Sequence, residues 1–530
     1  MSHSSETPSK QTVYEAQDQL FRQAPELHIT AERGVLEAAS GAAFADGAIH
    51  VFHQFRTKAT NGSRWAHVTA SHIPYDWDVN DDVLRLEGDE IDVLAGSALT
   101  LPETDDEPEH VELIFVTSSA RKGAEVTDAE QRYALLGSHI PHGERGERSF
   151  QIQRALIKDL ASMIEISDDP KIVDPNVKRL GPIDIDDSDH PIADLVTPSV
   201  ITSSDDWVMM ALNLVNDEDA EIVLLTSTDR QHWHAKGALT INSATPLPGN
   251  RPFAPRLARM TDTEDDKEYH VLFVTYPADG QWNSTTGEVT GYIVGHLNGT
   301  EFTATTEFRP LDYGHDLTRP RMVHGDSTVL FGLVGAHPDQ DSDADWANCL
   351  STPRVLTLHG GTLYQDIVGA PQAVHSFSDY GLIWTGQLDA DQGEVKLSVR
   401  NREDTELLEV RYTRNEVSVT RDGDTRTAPL ADADSDTLTV FVDGPLCEVF
   451  ADGGATTLTS SISARQPVRE IQVTATGGAE VKMAMVTQGQ QLQREHAGLN
   501  TAESQEQLIA DSAQADRDIA EGMIDDLLDI

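Results

Sequence analysis

Gly34-Val35-Leu36-Glu37-Ala38-Ala39-Ser40-Gly41-Ala42-Ala43-Phe44-Ala45-Asp46-Gly47-Ala48-Ile49-His50-Val51-Phe52-His53-Gln54-Phe55 consists of two apolar runs joined at Asp46-Gly47. Asp-Gly between strand-like runs is a strong two-residue hairpin signal, because both central residues of the favoured turn need positive φ. The stretch therefore predicts a β-hairpin.

The same pattern recurs downstream. Glu109–Val116, Trp207–Leu212, His270–Val274 and Thr328–Val334 are short apolar runs punctuated by Gly, Asp and Asn. Strands at regular spacing without amphipathic helices between them predict an all-β barrel, sandwich or propeller. Ser227-Thr228-Asp229-Arg230-Gln231-His232-Trp233 reads as a turn between two such strands. One segment breaks the pattern: residues 150–168 read as a helical insertion. Residues 374–486 alternate apolar and polar at strand period and form a second β unit. Residues 1–25 are a polar, flexible lead-in, 349–373 an exit segment and linker, and 487–530 an acidic tail whose end, Ile519–Ile530, has an amphipathic helical pattern.

A chain of 530 residues with 38% hydrophobic content is large enough for two domains plus tails. Its 89 acidic against 39 basic residues give a formal charge of −50. Such a surface repels nucleic acid and anionic membranes, so neither is expected as a partner. Cys349 and Cys447 are the only cysteines, which excludes a disulfide framework and a thiolate-rich metal site. No apolar run approaches the roughly 20 residues of a membrane span. Met1-Ser2-His3-Ser4-Ser5-Glu6 lacks a basic and apolar leader pattern, so a cytoplasmic location is expected. His50, His53, His232 and His234 have no metal-ligand spacing with carboxylates, and no metal or cofactor is implied.

Several blocks together resemble glycoside hydrolase family 32, the invertases, levanases and sucrose-6-phosphate hydrolases. They are the opening hairpin, Leu311-Asp312-Tyr313-Gly314-His315-Asp316 with Pro320, the exit segment from Cys349 to Gln365, and the pair Thr437–Asp443 and Glu448–Gly454. The resemblance spans about residues 25–486. It implies a five-bladed β-propeller, residues 26–348, followed by a C-terminal β-sandwich, residues 374–486.

A retaining glycosidase needs two carboxyl groups about 5–5.5 Å apart, one to attack and one to donate a proton. The family adds a third carboxylate that holds sugar hydroxyls. The nucleophile of its Trp-Met-Asn-Asp-Pro-Asn-Gly motif corresponds to Ala38. The acid of its Arg-Asp-Pro motif corresponds to Thr197 in Val196-Thr197-Pro198, and that of its Glu-Cys-Pro-Asp motif to Phe253 in Phe253-Ala254-Pro255-Arg256. No intact catalytic acid is thus expected. Glu37 and Asp194 are the neighbouring substitutes, although strand alternation would turn Glu37 away from the face of Ala38. Gln54, Trp65 and Asp312 fall where the resemblance implies sugar contact.

Three functions remain open on these residues. The chain is a non-catalytic member that binds a fructosyl sugar or a partner through the propeller funnel, or an active β-fructofuranosidase with carboxylates recruited from Glu37 or Asp194. The third is a scaffold with a protein partner docked through the C-terminal tail.

Overall fold

The computed structural model describes residues 24–497 except 32–33, 46, 58–61, 71–73, 104–108, 122–147, 161–162, 164–172, 204–205, 216–219, 250–251, 278–286, 325–326, 337–345, 431–435 and 463–467. Asp46, nearly all of the lead-in, and the expected tail helix lie outside the described residues.

Ala45 pairs with Ala48 at the end of the opening hairpin, and Gly47 has φ 76°. This hairpin begins the first of five antiparallel sheets. Each sheet is a four-stranded meander with short additions at its margins. The first strands of the five are Gly34–Ala45, Glu90–Leu101, Leu195–Ser203, Phe253–Thr261 and Leu317–His324. Each contacts the first strand of the next sheet, and the fifth contacts the first. The five first strands thus ring a common axis, as in a five-bladed propeller.

Two expectations change. Arg148–Ile157 overlaps the segment 150–168 read as helical, yet it is a strand paired with His110–Ala120 along its length; residues 161–162 and 164–168 of that segment lie outside the described residues. Ile152, Ala155 and Ile157 are buried, and the guanidinium of Arg154 meets both carboxylate oxygens of Glu112 on the neighbouring strand at 2.7 and 2.9 Å. Cross-strand partners of this kind override a weak local helical pattern. The segment read as leaving the propeller instead supplies the outer strands of the fifth sheet, Arg354–His359 and Thr362–Asp366. Leu356, Leu358 and Leu363 turn inward there and pack with Leu330 and Val334.

All five first strands break their ladders near their starts. Register shifts fall at Leu36/Ala38 and Ala39/Gly41, at Leu94/Ser97, at Val196/Ser199, at Phe253/Arg256 and at Thr318/Arg321. Each is a bulge, an extra residue that bends the strand and redirects its side chains. In the last three sheets the bulge places a residue at positive φ directly before proline: Thr197 at 53°, Ala254 at 47° and Arg319 at 49°. The second sheet uses glycine instead. A Cβ on Gly96 would stand 1.8 Å from the backbone oxygen of Ile114.

The second unit, from Leu382 to Gln488, is a sandwich of two five-stranded sheets. Alternating inward residues such as Leu397, Val410, Val440 and Val449 share one core. Propeller and sandwich meet through buried charge. Asp312 accepts from Arg354 Nη1 at 3.2 Å, Thr459 N at 2.8 Å and Thr459 Oγ1 at 2.7 Å. Gly314 lies so close that a Cβ there would sit 2.2 Å from the Thr459 backbone. Asp316 takes Arg421 Nη2 at 3.0 Å and Ser461 N at 2.7 Å. The segment before the first sheet joins the same seam: Leu27 N and His28 Nδ1 bond Asp443 Oδ2 at 2.8 and 2.7 Å. Burial alone would lower the pKa of His28, but Asp443 and Glu448 outweigh it and raise the imidazole to about 9. Burial likewise opposes the charge of Glu448, yet Arg354 and His28 hold its carboxyl at about 2.

These features make two predictions. Gly96→Ala is expected to cost about 1–3 kcal/mol or more by overpacking, whereas Gly335→Ala, where the added Cβ meets nothing nearer than 4.0 Å, is expected to be near neutral; urea unfolding of both checks this. For His28, a folded pKa above the unfolded one means that its stabilisation is complete below about pH 6.5 and fades as pH rises through about 9. The melting temperature is expected to fall between pH 7 and 9.5, and His28→Asn to flatten that slope.

Candidate ligand site at the propeller axis

The bulges divide each first strand into a short entry end and a longer remainder. Ala38, Thr197 and Phe253 all lie at the bulges of their strands. Ala38 is buried, and Thr197 and Phe253 are partly exposed. Phe253 lies beneath the guanidinium of Arg319, 5.7 Å from its ring centre. Arg319 is in turn held by Glu288 through Nε–Oε2 at 2.9 Å and a second contact from Nη2 to Oε1. These three positions hold no carboxyl group.

Glu37 does not follow strand alternation. The bulge between Leu36 and Ala38 brings its side chain against Gln54, the residue paired with Ala38. Gln54 Nε2 donates to Glu37 Oε2 at 2.5 Å, and Arg56 Nε to Glu37 Oε1 at 2.8 Å. Arg56 also reaches Asp92 at 2.9 Å, and Arg148 reaches the other oxygen of Asp92 at 2.5 Å. The chain Glu37–Arg56–Asp92–Arg148 is entirely buried and ties the first sheet to the second. Burial pushes the Glu37 carboxyl above its ordinary range, with Asp92 adding to this, against the pull of Arg56.

Gln54 Oε1 accepts from Ala95 N at 2.7 Å and Trp65 Nε1 donates to Leu94 O at 3.1 Å, so both brace the bulge of the second sheet. Both are buried. Asp312 lies in the seam with the sandwich, its two oxygens occupied as described. Asp194 binds Arg121 Nη2 at 2.5 Å and Phe150 N at 3.0 Å, at the border of the second and third sheets. The structure thus brings Glu37 and Gln54 together beside Ala38 and places Asp194 and Asp312 in separate clusters.

Beyond the bulges, all five first strands bound a cavity of about 320 Å³, at the small end for ligand pockets. Gly41, Gly96, Ser199, Arg256 and Arg321 form its wall at the bulges, and the exposed residues Arg259, Glu268 and His324 lie towards the other end. None of Ala38, Thr197, Phe253, Gln54, Trp65 or Asp312 lines it. Arg256 and Arg321 were not singled out by the sequence, although the repeated Pro255-Arg256 and Pro320-Arg321 dipeptides were a signal. Burial and the neighbouring Arg321 push Arg256 well below the usual arginine range; burial, with Arg319 adding, pushes Arg321 down to about 9. Elsewhere, His232 pairs with Asp229 at 2.7 Å and His234 with Asp189 at 2.9 Å. Among the described residues no group of three or more His, Cys, Asp or Glu is placed to hold a metal ion, and no helix is long and apolar enough to cross a membrane.

Five meander sheets ringing one axis, followed by a two-sheet sandwich, define a protein of the propeller-plus-sandwich class. The family model for the glycosyl hydrolases family 32 N-terminal domain matches residues 28–366, and that for the family 32 C terminal matches residues 354–488. The chain belongs to glycosyl hydrolase family 32. It is 30% identical over 224 residues to a sucrose-6-phosphate hydrolase of Staphylococcus xylosus, a match covering 36% of this chain and 45% of that relative. Among solved structures, the β-fructofuranosidase of Bombyx mori superposes with TM-score 0.66 at 17% identity, over 91% of this chain and 98% of that one. A fructofuranosidase of Schwanniomyces occidentalis complexed with fructose gives TM-score 0.62 at 14% identity, over 89% and 99%.

Asp92 is the hinge of the buried ion chain, so its loss takes a carboxylate from two buried arginines at once. Asp92→Asn is expected to cost about 3–5 kcal/mol, the usual effect of removing one partner of a buried pair. Glu37→Gln is expected to cost less, because burial already disfavours its charge. Chemical denaturation of the two variants beside the parent protein checks the ranking.

Proposed function

We propose that this family 32 chain binds a fructosyl sugar at the entry end of the propeller axis without carrying out the retaining double displacement. The observation that carries this reading is the fate of the acids at the bulges. Ala38, Thr197 and Phe253 supply no carboxyl group, and no adjustment of pKa restores an absent proton donor. The two substitutes are both engaged: Glu37 by Gln54 and Arg56, Asp194 by Arg121 and the backbone of Phe150. The ring of five sheets with its bulges is retained, and the Schwanniomyces neighbour is complexed with fructose.

A second reading keeps the chain as a β-fructofuranosidase with Glu37 as the relocated acid. It is favoured by the bulge, which turns Glu37 onto the face of Gln54, and by the raised pKa of its carboxyl. It would require Arg56 to give up one of the two oxygens.

The full chain, assayed on sucrose, sucrose 6-phosphate, inulin and levan at low and molar salt, decides between them. Turnover is expected to stay below about 1 s⁻¹, the low end for enzymes, while a fructosyl sugar raises the melting temperature saturably. Faster turnover that Glu37→Gln abolishes would establish the second reading. Activity and sugar-dependent stabilisation both absent would leave the scaffold role.

A further inference from the structure

Ala254-Pro255-Arg256 and Arg319-Pro320-Arg321 repeat one pattern on adjacent first strands. In each, the bulge turns the arginine after proline into the axial cavity. Both side chains are buried: Arg256 is 2% and Arg321 6% exposed. Arg256 Nη1 donates to the Thr197 carbonyl at 3.0 Å and to that of Pro255. Its Nε and Nη2 find no acceptor among the described residues. Arg321 Nη1 donates to the Pro320 carbonyl at 3.2 Å, and its Nε is likewise without an acceptor there. Neither guanidinium meets a carboxylate among the described residues. The one carboxylate on the cavity wall, Glu268, is exposed and stands 4.0 Å from Arg259.

A buried guanidinium charge without a counter-charge is costly. Elsewhere this protein pairs its buried arginines with acids, as Arg56, Arg148, Arg154 and Arg354 show. A chain with 89 acidic and 39 basic residues had every opportunity to do so here. Two guanidinium groups on neighbouring first strands line one cavity of about 320 Å³, each with a buried donor that meets no acceptor among the described residues, and this suits a mobile anion. We propose that the axial cavity binds a small oxyanion of the phosphate class, clasped between Arg256 and Arg321. The planar fork of arginine matches two oxygens of a tetrahedral anion at once, which favours an oxyanion over a halide. The anion neutralises the pair and cements the fourth sheet to the fifth. It lies beyond the bulges from Ala38, Thr197 and Phe253, so its binding is read separately from that of any sugar.

Calorimetry and thermal melting of the full chain with inorganic phosphate, at ionic strength held constant with sodium chloride, test the assignment. Phosphate is expected to bind saturably and to raise the melting temperature with its concentration. Arg256→Gln and Arg321→Gln are each expected to weaken it by about tenfold or more, the loss of one charge-assisted partner. Should Arg256→Gln fail to fold, Arg321→Gln and Arg256→Lys, which keeps the charge without the fork, carry the same comparison. The proposal is overturned by phosphate binding no tighter than chloride, or by phosphate binding that survives in the folded variants.

Discussion

Five strands that converge on one axis cannot all run through it as regular ladders. Each first strand resolves the crowding with a bulge at nearly the same depth, and almost everything of functional interest follows from those bulges. They set Ala38, Thr197 and Phe253 at one level, turn Glu37 onto the face of Gln54, and aim Arg256 and Arg321 into the space beyond. Three of them hold a non-glycine residue at positive φ before proline, a conformation that persists only where surrounding structure enforces it. Here the neighbouring blades do the enforcing: Arg256 grips the carbonyl of Thr197, and Thr290 Oγ1 accepts from Arg319 N.

Buried charge is the second organising theme, and it takes two forms. In the chain Glu37–Arg56–Asp92–Arg148, and in the seam of Asp312, Arg354, Glu448, His28 and Asp443, opposite charges alternate and the donors are largely spent. Such networks fix geometry more than they add stability, since desolvation offsets much of the attraction. They pin sheet to sheet and propeller to sandwich in one arrangement. At the axis the pattern breaks, and two guanidinium groups line one cavity with buried donors that meet no acceptor among the described residues. That contrast within one molecule separates structural ion pairs from a site prepared for a ligand.

Much of this was legible in the sequence. The opening hairpin and the propeller-plus-sandwich architecture can be read from local patterns. The Asp-Tyr-Gly block could be recognised but not interpreted: Asp312 reads as a sugar contact, and only the approach of Thr459 to Asp312 and Gly314 shows a joint between modules. The strand Arg148–Ile157 reads as helix because its stabilising partners, Glu112 and the backbone of His110–Ala120, lie well before it in the chain. Glu37 reads as facing away because alternation is a rule for regular strands, and a bulge cancels it.

The sequence by itself determined the class of fold, through the period of its apolar residues and the chemistry of its turns, and it placed Ala38, Thr197 and Phe253 at the starts of three first strands. The tertiary structure decided what the remaining charges do. Whether an arginine meets a carboxylate, a carbonyl or an empty cavity depends on strands far apart in the chain arriving at one axis, and on the depth at which each of them bends. No local pattern encodes that convergence, because it is a property of five blades packed together rather than of any one of them.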